Sequence, residues 1–84
     1  MWFVYVLVSL VRNYIYVGLT HDVPARVRRH EAGRERTTRA YRPFRVLLIE
    51  SHPTRGEARR REKFLKGGSG KEYLRRLRDQ KPGI

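Results

Sequence analysis

Two predicted helices each carry charged residues where apolar ones belong. From Asp22 to about Ala32, the residues Val23, Arg26, Val27 and His30 fall at i, i+3, i+4 and i+7, a single helical face. Arg28, Arg29 and Glu31 crowd the other side, so the mixed stripe is expected to pack inward. Either Arg26 snorkels out at the edge and His30 is a hydrogen-bonded core histidine, or the two belong to a site. Further along, Ala58, Glu62 and Leu65 share one stripe of a largely basic helix. A carboxylate between two core-facing residues costs free energy unless it is paired or bound to a metal. Arg26 and Arg61 are the candidate partners. Tyr5 and Tyr16 add two hydroxyls, and Gly18 beside them leaves room for a phosphate or a backbone to come close. A phenol, an imidazole, a guanidinium and a lone carboxylate are the parts of proton transfer, anion clamping and metal binding.

These groups depend on a few short elements. Residues 2–9 and 14–19 are rich in β-branched and aromatic side chains and read as strands, with Leu10–Asn13 as the hairpin loop between them. If Ser9 faces Tyr14, Tyr5 lies opposite Gly18 and diagonal to Tyr16, so both rings share one face. Asp22 caps the first helix and tolerates Pro24 in the first turn, and Gly33 ends it. A basic loop over residues 33–43 leads to a third strand, Phe44–Glu50. Thr54 to Glu57 form a capping box for the second helix, which Gly67-Gly68 terminate. Ser69 to Glu72 resemble another box, opening a last helix with Tyr73, Leu74 and Leu77 as its apolar stripe. The order is ββαβαα, an α+β fold with a three-stranded, mostly antiparallel sheet and about three helices. It is expected as one domain over residues 1–80, with a short tail at 81–84.

The chain has 84 residues, enough for one modest core. Twenty Lys and Arg oppose eight Asp and Glu, a formal net charge of +12. Arg dominates, and its planar fork suits phosphate oxygens. Such a balance implies a polyanionic partner, nucleic acid in preference to an acidic membrane surface, unless the Arg content only reflects codon usage. There are no cysteines, which excludes disulfides and thiolate metal sites. The apolar start, Met1–Val11, lacks the basic flank and cleavage site of a secretion signal and is too short to span a bilayer. It reads as a buried strand, and a cytoplasmic protein is expected.

Taken together, these segments resemble the GIY-YIG nuclease superfamily, and within it a small stand-alone group. Phe3-Val4-Tyr5 stands in the place of the first tripeptide and Tyr16-Val17-Gly18 in that of the second. Asp22 to His30 is similar to the family's Asp-Leu-x-x-Arg-Leu-x-x-His segment, Thr38 to Pro43 to its loop, and Glu57 to Lys66 to its metal-binding helix. The tripeptides are short and degenerate, but five motifs in order are specific. Phe3 departs from the glycine of the first motif, and Pro24-Ala25 from a charged pair.

The resemblance implies a metal-dependent endonuclease hydrolysing phosphodiester bonds in nucleic acid, DNA in preference to RNA. Glu62 would hold one divalent ion, Mg²⁺ or Mn²⁺, and Arg26 the scissile phosphate. Tyr5 is preferred as the base that takes a proton from the attacking water, with Tyr16 positioning it; the sequence does not separate the two, and His30 either orients a tyrosine or is the base itself. Arg28, Arg29, Thr38, Arg39 and Arg42 would contact the flanking strand. A monomer or weak homodimer is expected. The alternative is a nucleic-acid-binding module that keeps this fold without catalysis.

Overall fold

The alternation of β1, Trp2–Ser9, determines the architecture, because both of its faces are apolar and both must be covered. In the computed structural model, which describes residues 1–80, β1 is the central strand of an antiparallel sheet ordered β2-β1-β3, with β2 at Ile15–Thr20 and β3 at Phe44–His52. The tail expected at residues 81–84 lies outside the described residues.

The β1–β2 register is the expected one, with Tyr5 opposite Gly18 and Leu7 opposite Tyr16. A slip by one residue would carry Tyr5 and Leu7 to the other face, so burial on both sides fixes the pairing. Between β1 and β3 the register shifts: Val6 faces Leu48 but Leu7 faces Val46. Leu47 is thus an extra residue in a bulge. Strand β3 runs two residues beyond the expected Glu50, because Ser51 and His52 pair with Phe3 and Trp2.

Helix α1, Val23–Glu31, starts where Asp22 accepts the Ala25 N–H at 3.0 Å, and Pro24 sits harmlessly in its first turn. It ends at Ala32, followed by Gly33 at φ 77°, a left-handed position that favours glycine. The basic loop contains a single 3₁₀ turn, Arg39–Tyr41, absent from the sequence reading. Helix α2, Arg55–Lys66, has the expected Thr54 cap and ends at Gly67. Helix α3 then begins at once, at Gly68, and runs to Asp79. The expected Ser69–Glu72 capping box does not form: Gly67 is the N-cap and Ser69 lies inside the helix. The reason is packing. A Cβ on Gly70 would strike the Phe64 carbonyl and Leu65 Cα, so α3 folds back on α2 with no space for a loop.

The two faces of the sheet are covered by different helices. Val4, Val6 and Val17 pack with Ala58, Leu65 and Leu74 of α2 and α3. Tyr5 and Leu7 pack with Val23 of α1 and with Phe44, flanked by Tyr14, Tyr16, Val27 and Tyr41. Leu65 and Leu74 are fully buried, each contributing about 1.5–3 kcal/mol. No helix among the described residues is long and apolar enough to cross a membrane.

Candidate active site

On the α1 face, strand alternation aims Tyr5 and Tyr16 together, and their ring centroids are 6.0 Å apart. Gly18 makes this possible: a Cβ there would lie 2.5 Å from the Tyr5 hydroxyl oxygen. The Tyr5 ring therefore occupies the space of the missing side chain, and the glycine serves the tyrosine before it serves any ligand. Helix periodicity then places His30 over both rings, 5.8 Å from Tyr5 and 4.8 Å from Tyr16 between centroids.

His30 is buried and bonded at both nitrogens. Nε2 lies 2.9 Å from the Tyr5 hydroxyl, and Nδ1 lies 2.8 Å from the Thr38 hydroxyl. Burial lowers the His30 pKa below its ordinary value; Glu35 opposes this, and Arg26 and Arg29 reinforce it. The ring is accordingly neutral and carries one N–H. Thr38 has the Glu35 carbonyl as a long-range acceptor at 3.5 Å for its own hydrogen, which leaves the Thr38 oxygen to accept from Nδ1–H. Nε2 then accepts from the Tyr5 O–H. The hydrogens run in one direction, Tyr5 to His30 to Thr38 to Glu35.

Tyr5 itself is fully buried. Burial pushes its phenol well above the ordinary tyrosine value, Tyr16 adds to the rise, and the nearby Arg26 charge pulls the other way. Arg26, half-buried at the edge of the stripe, acts on both Tyr5 and His30. Tyr5, Tyr16, Gly18, Arg26 and His30 are thus one constellation.

Glu62 comes from the other side of the sheet. It is 5% exposed, between Ala58 and Leu65 as the stripe requires. Its partners are neither Arg26 nor Arg61: Arg59 donates at 2.8 Å and Lys66 lies at 3.1 Å, while Arg61 pairs with Glu50 at 2.8 Å. Burial pushes the Glu62 carboxyl up, but hydrogen bonds from Arg59 and Lys66 outweigh it and hold it below the usual range. Lys66 also lines a cleft of about 390 Å³ with Tyr14, Tyr16, Val17 and Thr37. Lys66, which holds the carboxylate, thus shares a cleft with Tyr16 at the free edge of β2.

Among the described residues no cluster of three or more His, Cys, Asp or Glu side chains could cage a metal. One carboxylate already holding two cations does not suit a resident ion. A divalent ion of the kind that takes one carboxylate and completes its shell with water and phosphate would have to displace Arg59 and Lys66 from it. Both competing cations are about half exposed, so they can swing into water.

Of the residues expected along a flanking strand, Arg28, Arg29, Arg39 and Arg42 are exposed. Arg29 is paired with Glu35 at 2.8 Å, and Arg42 bonds the carbonyls of Arg39 and Glu31. Thr38 is fully buried and spends its hydroxyl on His30. That role has no periodic signature, because it depends on how an irregular loop folds. Arg59 and Lys66 were not the expected partners, although their spacing of three and four residues from Glu62 is a signal that could have found them.

The chain matches the GIY-YIG catalytic domain family over residues 1–76. It is 39% identical over 66 residues to a UPF0213 protein of Nitratidesulfovibrio vulgaris, covering 77% of this chain and 59% of that one. Another UPF0213 protein, from Cupriavidus pinatubonensis, is 37% identical over 87% of this chain and 81% of its own length, and one from Staphylococcus aureus is 32% identical over 93% and 95%. No solved structure matches the chain. With the family match spanning most of the chain and the three-stranded sheet with three helices in place, the chain belongs to the GIY-YIG family and has its nuclease-type fold.

Proposed function

We propose that the protein is a metal-dependent endonuclease that hydrolyses phosphodiester bonds, DNA in preference to RNA. The observation that carries this reading is the buried hydrogen-bond chain from Tyr5 through His30 to Thr38, beside the Arg26 charge. A buried tyrosine hydroxyl needs some partner, and here it is an imidazole itself anchored by Thr38, the arrangement of a proton relay.

Burial makes a free Tyr5 phenolate costly. Tyr5 therefore acts as base by relay: it passes its own proton to His30 Nε2 as it takes one from the attacking water, which has to reach the buried hydroxyl from the side of the partly buried Tyr16. Arg26 clamps the scissile phosphate, and the phosphate charge in turn offsets the guanidinium that depresses His30, making the imidazole a better acceptor once substrate is bound. Tyr16 orients the water. Glu62 would hold Mg²⁺ or Mn²⁺, which supplies Lewis-acid polarisation and leaving-group stabilisation when bound. Arg28, Arg29, Arg39 and Arg42 would track the flanking backbone. The domain is taken as residues 1–80, acting in the cytoplasm as a monomer or weak homodimer.

The test is purified protein with labelled single-stranded, duplex and branched DNA and RNA, in Mg²⁺, Mn²⁺ or EDTA, beside Glu62→Ala. The variant is expected to lose metal-dependent cleavage and to keep nucleic-acid affinity within about threefold. Cleavage that survives in the variant or in EDTA removes the metal assignment. No cleavage by the parent protein on any substrate favours a binding module.

A further inference from the structure

We infer that the free edge of β2 is a seat for unpaired nucleotides, with the Tyr14–Tyr41 pair stacking a base; this rests on the nuclease reading and extends it to the form of the substrate. Tyr14 precedes β2 and Tyr41 closes the 3₁₀ turn, and their rings are nearly parallel, 5° apart in tilt with centroids at 3.8 Å. Tyr41 is held there by Ser9, whose hydroxyl donates to the Tyr41 carbonyl at 2.7 Å. The pair caps that side of the core, whose interior is filled by Tyr5, Leu7 and Phe44, and both of its rings stay only partly buried.

Two clefts meet at Tyr14. One is lined by Asn13, Tyr14, Ile15, Lys71 and Arg75. The other is lined by Tyr14 and Ile15 again, with Tyr16, Thr37, Lys66 and Lys71. Shared walls make them one groove, from the hairpin end to Tyr16 of the candidate site and to Lys66, the partner of Glu62. Among the described residues its charged lining residues, Lys66, Lys71 and Arg75, are all cations, and no carboxylate lines it. β2 is an edge strand, so its outward backbone groups also face the groove.

Three cations along one wall track a phosphate backbone, and an aromatic face takes a base. Tyr14 is stacked by Tyr41 on one face and half-buried, and the part of it that lines both clefts is what it offers to a base. A base in a duplex has its faces covered by its neighbours, and only an unpaired one can lie on that ring. The ligand is therefore single-stranded nucleic acid, or the unpaired arm of a branched one. Nothing in the lining separates ribose from deoxyribose.

The experiment is fluorescence anisotropy in EDTA, which reads binding without cleavage, using 12-nucleotide single-stranded DNA, the same RNA and a blunt duplex. Tyr14→Leu is expected to weaken single-strand binding about tenfold and duplex binding less than twofold, with Tyr14→Phe near the parent. Lys71→Ala with Arg75→Ala should reduce the log–log salt slope for single strands by about 1.4. A strand that is abasic at every position should bind the unmodified protein about tenfold more weakly than the normal strand, and this holds even if Tyr14→Leu unfolds. Equal losses for duplex and single strand, or equal affinity for the normal and the fully abasic strand, overturn the inference. A protein that passes these tests but never cleaves would keep the groove and lose the nuclease.

Discussion

His30 decides how the candidate site responds to pH. Its pKa is lowered from 6.5, first by burial and also by Arg26 and Arg29, with Glu35 opposing. A depressed folded pKa means the unfolded chain takes up the proton more readily. Stability is therefore complete above pH 6.5 and declines as pH falls toward the folded value. Catalysis follows the same sign, because only the neutral ring can accept the Tyr5 proton. The acid limb of kcat/KM for the free enzyme should lie below pH 6.5, and a limb above it would contradict a buried, neutral acceptor. The alkaline side should show no fall attributable to Tyr5, whose phenol is pushed up. Thr38 gives a separate handle. Thr38→Val leaves the His30 Nδ1–H without its acceptor in a fully buried spot, at about 1–3 kcal/mol. In a domain of this size that is a Tm drop on the order of 4–20 °C. Thr38→Ser, which restores the oxygen, should recover both Tm and cleavage rate; a Thr38→Val protein as active as the parent would make the tautomer irrelevant.

At the level of elements, what the sequence disclosed and what it withheld have one origin. Period-two alternation and a one-residue slip penalty made the Tyr5–Gly18 pairing legible, and period 3.6 made the inward faces of α1 and α2 legible. Periodicity tells which side of a helix is buried, but not which side of the sheet it covers. Hence Glu62 and His30 were both expected over the tyrosines, yet α1 and α2 flank opposite faces. The bulge at Leu47 was likewise hidden, because it follows from pairing with a strand far along the chain, and the abrupt α2–α3 turn because it follows from backbone packing of Gly70 on Phe64 and Leu65, which has no periodic signature. Gly18 tests how rigidly the hairpin holds its ring. In Gly18→Ala the added methyl meets the Tyr5 Cε1 at 2.6 Å, and the ring cannot yield freely while it is bonded to His30. Overpacking of this kind costs about 1–3 kcal/mol, and the displaced phenol should lose cleavage out of proportion to stability. Thermal melts and initial rates check this; an unchanged Tm with full activity would mean the ring moves at no cost.

Over the whole molecule, the excess of positive charge is made effective by where the acids stand. Asp22 and Glu57 serve helix N-termini, Glu31 accepts the Phe44 N–H at 3.0 Å, and Glu35, Glu50, Glu62, Glu72 and Asp79 are each paired with a neighbouring cation. All eight are thus committed to local structure, and the remaining Arg and Lys set the outer field of a chain with formal charge +12. Salt should then act with opposite signs on two measurements. Screening relieves self-repulsion in the compact state, while the exposed ion pairs it weakens are each worth under about 1 kcal/mol. The Tm of the free protein is expected to rise as NaCl goes from low concentration to about 0.5 M, beyond the Debye length that separates most surface charges. Nucleic-acid affinity should fall over the same range, linearly on log–log axes, because each neutralised phosphate releases counterions. Ligand binding adds stability by mass action, about 2.7 kcal/mol at a hundredfold excess over Kd, so the Tm of the complex should fall with salt and meet the rising curve of the free protein. Melts with and without a single-stranded oligonucleotide across a NaCl series give both curves. A free-protein Tm that falls with salt would show that the ion pairs outweigh the repulsion, and the surplus charge would no longer act as a field waiting for a polyanion.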